Sequence, residues 1–301
     1  MRSGRRSHCL EPAVAGRIAW GPAAYAPLAV STPTPTSSAT WRTALVTGAS
    51  SGIGAALARQ LAAEGTDLVV VARDKARLEA LAAELTGAGP AGGGVAVEVL
   101  SADLADAGSL AAVEARVADA DKAVDLVVNN AGFGTYGPFI DADIDVEERE
   151  IAVNVTALVR LTHAAVRAMV LRGRGAIMNI SSMAALQATP GNAIYGATKG
   201  FVAMFGEAVS SELAGTGVTV TTVLPGYTHT EFHERAGVEP RRPLGMPWQS
   251  AEDCAAEALA AAHADKSWVV TGSVNKVAAA AAGPVPRGVR RWAAARIASH
   301  M

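Results

Sequence analysis

Cysteine is nearly absent: 301 residues hold two, Cys9 and Cys254. That leaves no disulfide framework and no cysteine-based metal site, and it fits a reducing cytoplasm. Long apolar runs are missing too. Residues 1–40 contain no stretch that would serve as the apolar region of a signal peptide, and none that would span a membrane. No internal repeat is visible. The net charge is only −2, which argues against a nucleic-acid partner. The charge is unevenly placed, however. Residues 1–40 carry four Arg and one Glu, and residues 273–301 carry five Lys or Arg and no acid. The middle therefore holds the acidic surplus of a soluble globular body with basic ends.

The first forty residues read differently from the rest. Arg2, Arg5 and Arg6 precede a stretch broken by Pro12, Pro22, Pro27, Pro33 and Pro35, ending in S-T-P-T-P-T-S-S-A-T. Such a segment buries too little apolar surface to fold, so 1–40 is expected to be a disordered leader, with a targeting peptide as the alternative. The remainder is rich in apolar residues, 50% over the whole chain, enough for a large α/β core.

From Trp41 onward, strand and helix patterns alternate. Ala44-Leu45-Val46, Asp67–Ala72, Val95–Leu100, Val124–Val128, Ala176–Ile180, Val218–Leu224 and Trp268–Val270 have the composition of buried parallel strands. Between them, Ala55–Ala63, Asp74–Leu85, Asp106–Ala120, Glu148–Leu171, Ala193–Ala214 and Ala251–His263 have helical patterns. Repeated βα units of this kind predict one doubly wound α/β domain, a Rossmann-type fold over 41–272 with helices on both faces of a parallel sheet. Its ligand crevice lies at the carboxyl ends of the strands. Residues 273–301 are expected to form a basic, helical C-terminal extension.

The chain is organised around Thr43–Gly54, T-A-L-V-T-G-A-S-S-G-I-G. Gly48, Gly52 and Gly54 let the backbone turn tightly and let a pyrophosphate approach main-chain N–H groups. The helix that follows points its positive end at that anion. The spacing is looser than the G-x-G-x-x-G fingerprint, but the strand-turn-helix context favours nucleotide binding over an ordinary turn. Three further clusters fall just past strand ends on the same edge: Asn129-Asn130-Ala131-Gly132, Ser181-Ser182 and Pro225-Gly226. Tyr195 and Lys199 lie four apart near the start of a helix and share a face.

Together, T-G-A-S-S-G-I-G, N-N-A-G, N-I-S-S and Y-G-A-T-K resemble, in this order and spacing, the classical short-chain dehydrogenases/reductases. The resemblance covers Arg42–Phe232. It implies that Ser182, Tyr195 and Lys199 are the catalytic triad and that Asn154, in A-V-N-V-T, completes a tetrad. Ser181 is then only a strand-end hydroxyl satisfying backbone. It implies a nicotinamide dinucleotide held by Gly48, Ser50, Ser51, Gly52, Ile53 and Gly54 of the first turn. Arg73 would lie beyond the second strand, and Asp103 and Leu104 beyond the third. Asn130, Ala131 and Gly132 follow the fourth, and Pro225, Gly226, Thr228 and Thr230 the sixth. Tyr195 and Lys199 also touch the cofactor.

Physical chemistry fits these roles. Carbonyl reduction places negative charge on oxygen as hydride arrives, so the site needs a proton donor and a second hydrogen bond. Tyrosine titrates near 10, and a nearby lysine ammonium is expected to bring it down. Ser182 would hold the substrate oxygen. Asn154 would hold a water on a proton path to Lys199, or simply pack at a helix kink. Ala72 stands where NAD-selective sites place an acid, and Arg73 follows, which favours NADP(H) over NAD(H). Asp74 either pairs with Arg73 or caps the next helix. Asp103 contacts adenine or caps a turn.

Tyr227, Phe232, His233, Met246 and Trp248, with Phe133, Met183 and Gln187, suggest an apolar pocket for a hydrophobic ketone or secondary alcohol. A 3-oxoacyl-thioester reductase is the alternative, for which Arg235, Arg241 and Arg242 would supply charge. A non-catalytic dinucleotide-binding redox regulator is the alternative from another class; the filled tetrad speaks against it. His229, Glu231 and His233 lack the helix of an H-E-x-x-H site, so no metal is expected. The two long helices are expected to support a homodimer or homotetramer. Pro286–Met301 reads as a basic amphipathic stretch that packs on a neighbouring subunit or stays loose, with an anionic membrane surface as the alternative.

Overall fold

The structure is a computed structural model and describes residues 41–87, 94–232 and 248–282. Its strands are β1 (Thr43–Thr47), β2 (Asp67–Ala72), β3 (Val97–Ser101), β4 (Leu126–Asn129), β5 (Gly175–Ile180), β6 (Val218–Leu224) and β7 (Trp268–Val270). They form one sheet in the order β3-β2-β1-β4-β5-β6-β7. Every pairing is parallel, with Ala44 opposite Leu68 on one side of β1 and Leu126 on the other. The order reverses between β1 and β4, so the loops leaving those two strands diverge and open a crevice.

Alternation along the strands feeds two separate cores. Ala44, Val46, Leu68, Val70, Leu126, Val128, Met178 and Val223 point to one face. There they meet α1 (Gly52–Ala63), α2 (Lys75–Leu85) and α7 (Ala251–His263). Leu45, Val69, Val71, Val127, Ile177 and Val220 point to the other. That face is covered by α3 (Ala107–Ala118) and α5 (Leu158–Arg172), with α6 (Ala193–Glu212) over β6. Continuous Val/Leu runs, apolar on both faces, leave these strands no solvent side. A sheet sandwiched between helices follows.

The pattern over 67–72, 218–224, 251–263 and 268–270 predicts β2, β6, α7 and β7 with the bounds observed. The long helix expected over Glu148–Leu171 needs correction. It starts earlier, as α4 (Ile144–Ile151), because the Asp143 carboxylate caps it by accepting from the Asp145 N–H at 3.0 Å. It then widens into a π segment at Ala152–Ala157 before continuing as α5. π turns of this kind occur mostly at functional sites. Asn154 lies within it.

The amphipathicity of α4 is inverted. Glu147 and Glu150 are buried, whereas Ile144 is 58% and Ile151 40% exposed. At the C-terminal side, α8 (Ser273–Ala282) starts where the extension was expected to begin. Its Asn275 is buried and donates from Nδ2 to the Thr271 carbonyl at 2.8 Å. A Cβ on Gly226 would come within 2.3 Å of that Nδ2. The leader over 1–40 and the basic stretch Pro286–Met301 lie outside the described residues. Among the described residues no helix is long and apolar enough to cross a membrane.

Candidate active site

The crevice between β1 and β4 is built from backbone pressed against backbone. Gly48 (φ +67°) and Gly52 (φ +56°) occupy the left-handed region. A Cβ on Gly54 would lie 2.4 Å from the Gly48 carbonyl oxygen, and one on Gly48 would lie 2.9 Å from Ala131 Cα. Thr47 Oγ1 accepts from the N–H groups of Asn130 (2.9 Å) and Ala131 (3.0 Å) and donates to the Val128 carbonyl. Asn130 Nδ2 donates back to the Thr47 carbonyl at 2.9 Å. Ser51 precedes α1 in extended backbone without a side-chain cap, so the first-turn N–H groups have no side chain competing for them. Ser50 and Ile53 flank that turn half-buried. A cradle that any side chain would fill, closed by a helix N-terminus, fits a nicotinamide dinucleotide's pyrophosphate.

Around this cradle the other expected cofactor contacts fall at strand ends. Arg73 is exposed, and its carbonyl accepts from Ser101 Oγ at 3.2 Å. Asp74 caps α2, accepting from the Arg77 N–H at 3.1 Å, and pairs with Arg77 rather than Arg73. Asp103 accepts from the Ala105 N–H at 3.0 Å and is paired with Arg149. Burial opposes its charge, but the Ala105 N–H, Arg149 and Arg73 together hold the carboxyl below its ordinary range. Leu104 beside it is buried. Beyond β6, Thr228 Oγ1 donates to the Gly226 carbonyl and the Pro225 carbonyl accepts from the Met183 N–H. Thr230 lies over the cradle, 2.9 Å from the position a Cβ would take on Gly52. A contact the sequence reading missed pins this stretch: Arg77 Nη1 donates to both Glu231 oxygens, at 2.9 and 2.7 Å.

The four expected catalytic side chains come together at the same edge. Ser182 caps a short 3-10 turn (Met183–Leu186), accepting from the Ala184 N–H at 3.1 Å, and its hydroxyl acts to lower the Tyr195 phenol. Lys199 Nζ donates to the Ile180 carbonyl at 3.0 Å and lies 5.7 Å from the Tyr195 ring centroid. Ser181 donates to the Lys199 carbonyl at 2.7 Å, the backbone role expected of a strand-end hydroxyl. Asn154 Oδ1 accepts from the Phe133 N–H (3.1 Å), and its Nδ2 donates to the Phe133 carbonyl (2.9 Å) and to Thr198 Oγ1 (3.1 Å). Asn154 Oδ1 and Lys199 Nζ both border Gly132, 2.9 and 3.2 Å from where its Cβ would sit.

Electrostatics depart from expectation at Tyr195. Burial drives the phenol up, with Ser182 opposing, rather than Lys199 bringing it down. The reason is enclosure: Phe232 and Tyr136 stand 5.3 and 6.5 Å from its ring, centroid to centroid. Lys199 is pushed down to about 8 by burial, against the charge of Glu150. Past β6 the rings form a second cluster, Tyr227 meeting Trp248 at 5.7 Å and His229 stacking on Trp248 at 4.7 Å. Phe133 and Met183 are half-buried and Gln187 is exposed. His229 and Glu231 thus face different partners, Trp248 and Arg77. His233, Arg235, Arg241, Arg242 and Met246 lie outside the described residues.

Sequence reasoning missed Glu147, Thr135 and Glu150. The Thr135 N–H donates to Glu150 Oε2 at 2.9 Å, and its hydroxyl lies 2.7 Å from Glu147 Oε1 and 3.1 Å from Glu150 Oε2. Asn154 Nδ2 approaches Glu150 Oε1 at 3.4 Å. The available signal is the stripe Glu147, Glu150, Asn154 on one helical face, which alone reads as a solvated surface.

Comparison with known proteins agrees with this geometry. Residues 42–239 match the family model described as short chain dehydrogenase. A short-chain dehydrogenase from Sphingobium yanoikuyae, solved in complex with NADPH, is 41% identical with a TM-score of 0.71, covering 76% of this chain and 87% of that one. A bulky-bulky ketone specific alcohol dehydrogenase from Comamonas testosteroni is 31% identical with a TM-score of 0.67, covering 82% and 95%. A sulfoacetaldehyde reductase from Chromohalobacter salexigens is 38% identical over 190 residues, 62% of this chain and 72% of that protein.

Proposed function

The chain belongs to the short-chain dehydrogenase family, and we propose that it is an NADP(H)-dependent oxidoreductase interconverting a hydrophobic ketone and its secondary alcohol. One observation carries the reading: Ser182, Tyr195, Lys199 and Asn154, drawn from the turn after β5, from α6 and from the π turn, converge beside the glycine cradle. The bound nicotinamide supplies or takes the hydride. The protein's own part is to place the carbonyl and move one proton. In reduction, Ser182 holds the substrate oxygen as charge develops there, and Tyr195 donates its hydroxyl proton to it. A phenol held high by burial is a proton donor at neutral pH and needs a partner to stabilise the phenolate it leaves. Lys199, beneath it, fills that role as an ammonium ion. Oxidation runs the same steps in reverse, with Tyr195 as base.

Arg73 supports the choice of NADP(H): it is exposed past β2, and Asp74 is committed to α2 instead of to it. The rings beside Tyr195 favour an apolar ketone, in keeping with the neighbour specific for bulky-bulky ketones. The exposed apolar faces of α5 and α6, with Leu171 89% and Met204 77% exposed, suit a second copy of the chain and hence a homodimer or homotetramer, and sedimentation showing only monomer at micromolar concentration would count against this. A cytoplasmic location accords with the cysteine usage.

The deciding experiment is a panel of ketones, 3-oxoacyl thioesters and secondary alcohols with NADPH or NADH, followed by absorbance of the reduced cofactor, for the wild type and Tyr195→Phe. Turnover of apolar ketones with NADPH is expected, together with its loss in the variant. Near wild-type turnover by Tyr195→Phe would overturn the reading.

A further inference from the structure

Glu150 has no exposed surface, and Glu147 one turn before it is 6% exposed. Two buried carboxyls that close demand a reason. We propose that Glu150 is a positioning residue for the reaction, its carboxyl steadying the Asn154 carboxamide and supplying the counter-charge that keeps Lys199 protonated. This rests on the reading that Lys199 serves cofactor and chemistry.

Hydrogen-bond counting supports it. Thr135 has a single hydroxyl hydrogen, yet its oxygen lies 2.7 Å from Glu147 Oε1 and 3.1 Å from Glu150 Oε2. One hydrogen cannot fully satisfy two carboxylates, so the pair is favoured when one of its carboxyls carries a proton, while the Thr135 N–H at 2.9 Å favours the ionised form of Glu150. The groups facing it are Glu147 on its own helix, Tyr136 beside Thr135 on the loop after β4, and Tyr195 and Lys199 on α6. Burial pushes Glu150 up to about 7, aided by Glu147 and opposed by Thr135 and Lys199.

The coupling to Lys199 is reciprocal: the ammonium lowers Glu150, and the carboxylate raises Lys199. Once ionised, Glu150 raises the lysine against the burial that lowers it. Removing that charge lets Lys199 lose its proton at lower pH. Meanwhile Asn154 Nδ2, shared among Phe133, Thr198 and Glu150, loses an anionic acceptor. The carboxamide is then held by fewer strong contacts.

The test is NADPH binding, read by fluorescence across pH, for the wild type, Glu150→Gln, Glu150→Asp and Lys199→Ala. Wild-type affinity is expected to fall as pH rises through the Lys199 value of about 8. In Glu150→Gln that fall should move to lower pH by about one unit, while Glu150→Asp, which retains a carboxyl, restores the wild-type position. Superimposable curves for wild type and Glu150→Gln overturn the proposal. Lys199→Ala separates the two readings: the fall should vanish in it, and persistence would mean that Lys199 does not serve the cofactor. Infrared spectroscopy then decides for Glu150 by itself. A protonated-carboxyl stretch that is missing from Glu150→Gln and persists in the wild type at about pH 8 would overturn the proposal, because a neutral Glu150 supplies no counter-charge; its loss from the wild type by that pH supports it.

Discussion

The two halves of the crevice are made of different material. On the cradle side, β1 and β4 meet through glycines, Thr47 and Asn130, in bonds to main-chain groups that do not titrate. On the proton side, Glu147, Glu150, Tyr195 and Lys199 are all buried and ionisable, brought in from α4 and α6. The cradle recognises a ligand of fixed charge and needs only shape and N–H groups. The proton side must change charge during each turnover. Burial moves Glu150 and Lys199 towards the working range, and it holds Tyr195 in its proton-donating form by pushing the phenol up.

The comparison breaks most sharply at Tyr195. Tyr195→Phe keeps the ring against Phe232 and removes only the acidic hydroxyl. Turnover is expected to fall by roughly 10²–10⁴, the usual cost of losing a general acid, with NADPH affinity nearly unchanged. Steady-state turnover beside a fluorescence titration checks both halves at once. A parallel fall in both would mean that the two sides are not separable. In the oxidation direction the rate should rise with pH as Tyr195 ionises, late in the alkaline range because burial raises it, and that limb should vanish in the variant.

Arg73→Ala strikes the other side. A charge-assisted contact to a 2′-phosphate contributes on the order of 1.5–3 kcal/mol, or about 10–100-fold in affinity. NADPH binding should weaken by that much, NADH binding should hold, and turnover at saturating NADPH should stay close to wild type. Titrating both cofactors decides it. Equal wild-type affinities for the two would remove the basis for an NADP(H) preference.

The same contrast explains what could be read in the sequence. The cradle is local, with Gly48, Gly52 and Gly54 inside seven residues and Asn130 in a motif of its own. Buried strands such as β2 and β6 declare themselves by continuous Val and Leu. The proton side is assembled across the chain, Thr135 meeting Glu150 and Asn154 meeting Thr198, forty-four residues on. Only Tyr195 and Lys199 stand at a telling spacing there. Glu147 and Glu150 carry no motif, and their helix exposes Ile144 and Ile151 in their place, against the usual rule that charged faces meet water. Periodicity marks a helix from Glu148 onward and is silent on its first turn and on which face is inside. The π turn was equally hidden: it coincides with contacts from Asn154 to Phe133, twenty-one residues away, that no local pattern announces. Asp74 was ambiguous in sequence for a simpler reason: both an N-cap and an ion pair suit an aspartate there.

The smallest expected effect tests whether burial of Glu150 carries a cost in stability. Its folded-state value of about 7 lies above the ordinary 4.5. A carboxyl raised in this way contributes fully below the unfolded value, and the contribution is lost as pH rises through the folded one. The wild type should therefore lose stability between about pH 4.5 and 7 that Glu150→Gln, which cannot ionise, does not lose. The full shift corresponds to about 3 kcal/mol, an upper limit, because removing the carboxylate also deprives the Lys199 ammonium of its counter-charge. The net effect should be a difference in Tm, Glu150→Gln minus wild type, that rises by a few degrees, about 2–4 °C per kcal/mol, from acid to neutral pH. Thermal unfolding of both proteins at matched ionic strength measures it. A difference constant across that range would mean that Glu150 carries its charge, at every pH tested, as comfortably in the fold as in water.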